Sequence, residues 1–165
     1  MYKIYNFIED KAINLPLTEN RGFLYGDGFF ETVIIKNGKI SFFEDHYSRM
    51  NNASKTLNLT PFPSCEELKT KILSLTYKKD SLIRLKLIVF RNSDGLFAPN
   101  QNSPLFYFEE KEMLESSISH KSALFSKTVF NTETISSGFK TISSLNYVLA
   151  GVELNKNNQN EIILL

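Results

Sequence analysis

Asn37-Gly38 stands between an alternating apolar run, FFETVIIK, and a second one, KISFF. Both residues accept the positive φ angles of a type I′ turn, whose twist matches that of paired strands. Residues 30–36 and 39–43 are therefore predicted to form a β-hairpin. This feature constrains the fold most, because a two-residue turn fixes the register and decides which side chains share a face.

The pattern then changes period. Tyr47, Met50, Ala53, Ser54 and Leu57 recur at three- and four-residue steps, so residues 44–59 are predicted to be helical, with Glu44 and Asp45 near the positive end of the helix dipole. Pro61 and Pro63 close that helix. Ser64 and Glu67 have the spacing of a capping box, ahead of Cys65, Leu68, Ile72 and Leu75 on one face, which predicts a second helix to about Tyr77. Both helices are expected to cover one face of a sheet. Strands are predicted at residues 2–8, at 81–90, where Ile83, Leu85, Leu87 and Val89 alternate, and at 105–108. The long polar loop between the last two is of a length that often carries function. Residues 121–130 read as extended and 143–156 as a helix. The run at 161–165 reads as a strand whose partner lies elsewhere in the chain or beyond the sequence.

With 165 residues, of which 42% are hydrophobic, the chain has enough material for a core without disulfides or metal. Cys65 is the single cysteine, so neither an internal bridge nor a thiolate metal site is available. Nineteen basic against eighteen acidic residues give a formal charge of +1, which removes the electrostatic argument for nucleic acid or an anionic membrane. No stretch approaches the roughly 20 apolar residues of a membrane span, and the first residues lack a signal-peptide pattern, so a cytoplasmic protein is expected.

Few residues stand out chemically. His46 and Arg49 share a helix face and could hold a phosphate or a carboxylate, a solvated helix surface being the alternative. With four arginines against fifteen lysines, each arginine is a better candidate for two-pronged anion recognition. Gly26-Asp27-Gly28 lacks the rest of a nucleotide-binding fingerprint and reads as a structural turn. His120 has no neighbour that would make it a ligand or base, and Cys65 reads as a small hydrophobe rather than a nucleophile. Lys140 follows Ser-Ser-Gly-Phe. A lysine held against apolar neighbours can lose its charge and form a Schiff base, whereas an ordinary surface lysine stays charged.

Three segments together resemble a known family. RGFLYGDGFFETVIIKNGKISFFEDHYSRMNNASKTLNL is similar to the opening of the class IV aminotransferases, the fold type IV pyridoxal-phosphate enzymes. That family includes branched-chain and D-amino acid aminotransferases and aminodeoxychorismate lyase. SLIRLKLIVFRNSDGLFAP resembles the family's next signature, a basic strand ending at an arginine, and GFKTISSLNYVLAGVELNKNNQNEIILL resembles the segment bearing the cofactor lysine. The resemblance covers residues 21–99 and 138–165. It implies an α/β (α+β) fold, with an antiparallel sheet and covering helices over residues 1–115 and the start of a cofactor-binding domain over 116–165.

By position, Lys140 matches the lysine that forms the internal aldimine with pyridoxal 5′-phosphate, and Arg49 matches the arginine that grips the cofactor phosphate. Phe30 falls where some members have a tyrosine facing the pocket, Arg91 is a further substrate-pocket candidate, and Ser143 lies where several relatives place an asparagine. The resemblance implies a homodimer acting on a small amino acid or on 4-amino-4-deoxychorismate, with no metal. Relatives continue into a strand carrying the glutamate that pairs with the pyridine nitrogen, so the chain is expected to be shortened at its C-terminus. A catalytically inactive, shortened relative that serves as a binding or dimerisation module is the alternative.

Overall fold

Asn37 and Gly38 take φ values of 51° and 70°, as a type I′ turn requires, and join β3 (Gly28–Lys36) to β4 (Lys39–Ile40). Ile35 stands opposite Ile40 and Lys36 opposite Lys39. β4 stops short of the predicted residue 43. Phe42 turns with φ 52°, and Phe43 opens the first long helix as a fully buried residue. The computed structural model describes residues 2–7, 9–76, 81–114, 122–157 and 159–165. Ile8, Tyr77, His120, Lys121 and the expected domain boundary after residue 115 lie outside the described residues.

β1 (Tyr2–Asn6), β2 (Lys11–Ile13), β5 (Ile83–Asn92) and β6 (Ser103–Glu112) complete one antiparallel sheet in the order β2-β1-β6-β5-β3-β4. β6 outruns its predicted span of 105–108 because β5 pairs with it from Ile83 opposite Glu112 to Asn92 opposite Ser103. Backbone pairing carries the polar EEKE end into the strand. Pro104, which cannot donate to a ladder, is tolerated because β1 reaches only residues 106–109 of β6. Between residues 122 and 130, only β7 (Ala123–Phe125) is a strand. It pairs in parallel with β8 (Glu161–Ile163), so the final apolar run finds its partner 38 residues earlier in the chain.

Two helices cover one face of the large sheet: α2 (Phe43–Thr56) and α3 (Cys65–Leu75), separated from a short α1 (Arg21–Tyr25) by the hairpin. Val33, Ile35, Leu85, Leu87, Val89, Phe106 and Phe108 project from that face and meet Phe43, Met50, Ala53, Leu68 and Ile72. The two-residue period of the strands and the three-to-four-residue period of the helices thus converge on one core. Cys65 lies half-buried against it, and burial together with nearby carboxylates pushes its thiol pKa up, away from a reactive thiolate. Among the described residues no helix is long and apolar enough to cross a membrane.

The capping box is present in full. Ser64 Oγ accepts from Glu67 N at 3.3 Å, and Glu67 Oε2 accepts from Ser64 N at 2.8 Å. Ser64→Ala is expected to cost about 1 kcal/mol and to lower the thermal midpoint by roughly 2 to 4 °C in a scanning calorimeter.

Gly26-Asp27-Gly28 sets the start of β3. Gly26 ends α1 in the left-handed region at φ 63°, and a Cβ on Gly28 would fall 2.1 Å from Val89 O, so only glycine lets β3 approach β5 here. At its other edge, residues 28–30 lie beyond the reach of β4. A later segment takes that place: Phe30 N donates to Lys140 O at 2.8 Å, Ile142 N donates to Gly28 O at 3.1 Å, and Phe29 stands opposite Thr141. The segment that α4 (Leu145–Leu154) follows is thereby fixed on the edge of β3.

Candidate active site

Phe29, Glu31, Val33 and Ile35 are the buried series of β3, and Glu31 is the one charge among them, at 2% exposure. A carboxylate in that position needs partners. The helix supplies them. His46 and Arg49, three residues apart on α2, both reach down: Arg49 Nε donates to Glu31 Oε1 at 2.7 Å and Nη2 to Oε2 at 3.2 Å, while His46 Nδ1 lies 2.8 Å from Oε2. An ionised carboxylate only accepts, so His46 Nδ1 carries the hydrogen, and its 3.0 Å approach to Arg49 Nη2 is a close contact rather than a bond. Of the two readings of this face, anion holder or solvated surface, the structure has it hold an anion, and the anion is the protein's own Glu31.

Lys140 arrives from the other side. The pairing of residues 140–142 with β3 brings its Nζ to 3.9 Å from Glu31 Oε2 and 5.9 Å from the centre of the Phe30 ring. Lys86 Nζ lies 5.4 Å from the same ring. Phe30, Arg49, Ser137, Gly138, Phe139, Lys140, Thr141, Ser144 and Tyr147 line a cavity of about 490 Å³. A primary amine, a guanidinium and an aromatic wall thus share one concave space. A larger groove of about 630 Å³ runs along α3, but its lysine is already engaged: Lys71 Nζ donates to Tyr5 Oη at 2.6 Å and to Asp10 Oδ1 at 2.9 Å.

Burial alone would raise the Glu31 pKa, but hydrogen bonds from Arg49 and His46, with the charges of Arg49 and Lys140, outweigh it and hold the carboxyl below its ordinary value. Glu31 in return holds the Arg49 guanidinium in its charged form. Because the folded pKa is the lower one, this carboxylate stabilises the fold fully above the ordinary value of 4.5, and the contribution is lost as pH falls through the folded value. Glu31→Gln is therefore expected to show a flatter loss of stability than wild type in denaturant titrations from pH 6 down to pH 3.

Of the residues singled out in the sequence, Lys140, Arg49 and Phe30 come together. Arg91 lies elsewhere, 6% exposed, and its donors are engaged within the protein: Nε binds Asp27 Oδ2 at 3.0 Å, Nη2 binds Leu57 O at 2.6 Å, and Nη1 binds Asn102. Arg21 binds the same Asp27 and donates to Gly95 O at 2.6 Å. The two arginines therefore anchor both ends of the loop that follows β5. Ser143 packs beside Gly26 rather than in the cavity lining. Glu31 is the residue that the sequence reading did not single out. Its signal was a lone acid in the alternating series Phe29, Glu31, Val33, Ile35.

A family model described as amino-transferase class IV matches residues 28–165. The chain belongs to the class IV aminotransferases. Over 82 residues, 50% of this chain and 29% of the relative, it is 33% identical to an aminodeoxychorismate lyase of Vibrio harveyi. The structure of 4-amino-4-deoxychorismate lyase from Pseudomonas aeruginosa superposes with a TM-score of 0.82 at 24% identity, over 100% of this chain and 61% of that one. Branched-chain amino acid aminotransferase of Escherichia coli gives a TM-score of 0.80 at 15% identity, over 99% of this chain and 59% of that one. The fold is the α+β arrangement of the fold type IV aminotransferases. This class IV chain spans about three-tenths of the curated relative and about three-fifths of the solved ones.

Proposed function

We propose that this class IV chain is the N-terminal domain and the start of the cofactor domain of a pyridoxal-phosphate-dependent enzyme. It acts on a small amino acid or on 4-amino-4-deoxychorismate. The observation that carries the reading is the shared cavity of Lys140 and Arg49. Its volume falls in the range of small-molecule sites, and its donor set suits a phosphorylated aldehyde: an amine for the aldehyde and a guanidinium for the phosphate. Arg49 spends Nε and Nη2 on Glu31, and Nη1 has no partner among the described residues.

When bound, pyridoxal phosphate supplies an aldehyde that condenses with a primary amine and a ring that takes up the electron pair of a bond breaking at the substrate α-carbon. The remaining roles belong to this chain. Lys140 Nζ would hold the aldehyde and, once the substrate's amino group has displaced it, would be the free base that moves a proton at the substrate α-carbon. Arg49 fixes the phosphate end, and Phe30 walls the pocket, its face attracting the Lys140 ammonium. Arg91 acts on the substrate pocket only through the loop it anchors. The division near residue 115 is supported by the separate pairing of β7 with β8, and the working unit is a cytoplasmic homodimer by resemblance to the family.

The test is to load the chain with pyridoxal phosphate and supply D- and L-amino acids and 4-amino-4-deoxychorismate in turn. Consumption of one class is expected, with loss of the cofactor's aldehyde absorbance if the amino group is transferred to it and with that absorbance kept if the substrate is cleaved by elimination, which returns the aldehyde. Firm cofactor binding without consumption of any substrate would favour the shortened, inactive binding module instead.

A further inference from the structure

Glu31 has a position that neither its neighbours on β3 nor its burial explains by itself. A strand interior of Phe29, Val33 and Ile35 would be filled more cheaply by another hydrophobe, since replacing a buried ion pair with apolar side chains of similar volume is often neutral or stabilising. Both of its oxygens are used, and two of its partners, Arg49 and Lys140, line the cavity, while His46 and the Thr32 amide, at 3.3 Å from Oε2, hold it from outside the lining. Oε1 takes Arg49 Nε at 2.7 Å, and Oε2 takes Arg49 Nη2 at 3.2 Å and faces Lys140 Nζ at 3.9 Å. His46 holds Oε2 at 2.8 Å, so with the two Arg49 bonds and the Thr32 amide the carboxylate cannot rotate without breaking four bonds.

We propose that Glu31 is a positioning residue that ties the two cavity cations together, locking the Arg49 fork toward the phosphate and orienting the Lys140 amine toward the aldehyde. The proposal rests on the functional reading above and deepens it. Distances support it. A guanidinium bound through Nε and Nη2 has its plane fixed, and the donors left over then point in one direction only. Arg49 is 40% exposed along its side chain, so without this grip solvent would let the fork swing. Lys140 is 47% exposed and reaches the cavity as the one lysine in its lining, with Glu31 as the carboxylate beside it. One buried acid therefore sets the angle of both groups, since Arg49 Nη2 and Lys140 Nζ both face its Oε2.

The experiment uses the full chain with Glu31→Gln, Glu31→Asp, Arg49→Ala and the Glu31→Gln/Arg49→Ala double variant. Glu31→Gln is expected to weaken pyridoxal phosphate binding by roughly tenfold or more, as for loss of charge-assisted bonds, and Glu31→Asp to recover part of it. On the Arg49→Ala background, Glu31→Gln should weaken the affinity by a smaller factor than it does in wild type, because the part of its effect that passes through Arg49 is already lost. A second readout removes the phosphate altogether. Borohydride trapping of unphosphorylated pyridoxal on Lys140 should fall roughly tenfold in Glu31→Gln through misplacement of the amine, with labelling of the other lysines unchanged.

Additive losses in the double variant, or unchanged Lys140 trapping, would overturn the proposal. So would a fall in thermal stability with both readouts unchanged, which is what a purely structural ion pair predicts. If Glu31→Gln does not fold, Glu31→Asp carries both readouts, and wild-type values in it would be contrary. A wild-type chain that takes no label at Lys140 defeats the functional reading instead. Inorganic phosphate binding to wild type against Glu31→Gln then decides the positioning role, equal affinities overturning it.

Discussion

Lys140→Ala is expected to abolish the borohydride-stable pyridoxyl adduct while leaving the fold intact. The separation of the two effects follows from how the residue is held. Its backbone carbonyl accepts from Phe30 N at 2.8 Å, a bond that alanine keeps, and its side chain is 47% exposed with one loose ionic contact at 3.9 Å. Loss of such an exposed contact costs within about 0.5 kcal/mol, so thermal unfolding should barely move. Turnover of any substrate should disappear with the adduct, since the proposed site uses the same amine to hold the aldehyde and, once freed, to move the proton. A Lys140→Ala chain that still yields a reduced adduct at stoichiometric cofactor would remove Lys140 from the site.

Arg49→Ala is expected to weaken pyridoxal phosphate binding by about 2 kcal/mol, at the lower end for truncating one partner of a desolvated charge pair, because solvent already reaches the guanidinium. That is roughly thirtyfold in affinity. Unphosphorylated pyridoxal, which offers Arg49 no phosphate, should bind the variant nearly as it binds wild type. Arg49→Lys should fall between the two, because it keeps a charge but not the fork that Glu31 grips through two nitrogens. Equal weakening for both aldehydes would instead trace the loss to Glu31, left buried without its bidentate partner. Some stability loss is expected for the same reason, and equilibrium denaturation measured beside the binding separates the two effects.

The hairpin was legible in the sequence because Asn37-Gly38 carries its own backbone requirement, and the α3 start because Ser64 and Glu67 satisfy each other locally. The alternation of Ile83, Leu85, Leu87 and Val89 likewise reports a strand with one buried face. Pairing between distant segments left no such mark. The parallel match of β7 with β8 and the seat of residues 140–142 on β3 depend on which edges remain free once the large sheet has formed. In the same way, the 10-residue length of β6 is set by β5, against the polar composition of its second half. At the site, resemblance pointed to Lys140 and Arg49, whereas Glu31 becomes visible only when its strand face is known and its side-chain partners Arg49, His46 and Lys140 are brought beside it by the fold. Arg91 illustrates the converse. A scarce arginine at the end of a basic strand reads as an anion receptor, and its anion is Asp27.

The proposed role of Lys140 is that of the amine in a cofactor site that Arg49 and Glu31 help to build. It is tested most directly by adding stoichiometric pyridoxal phosphate to the purified wild-type chain, reducing with borohydride and mapping the label by peptide mass. A pyridoxyl group on Lys140 alone is the predicted result. Labelling scattered over the fifteen lysines, or none, would contradict it.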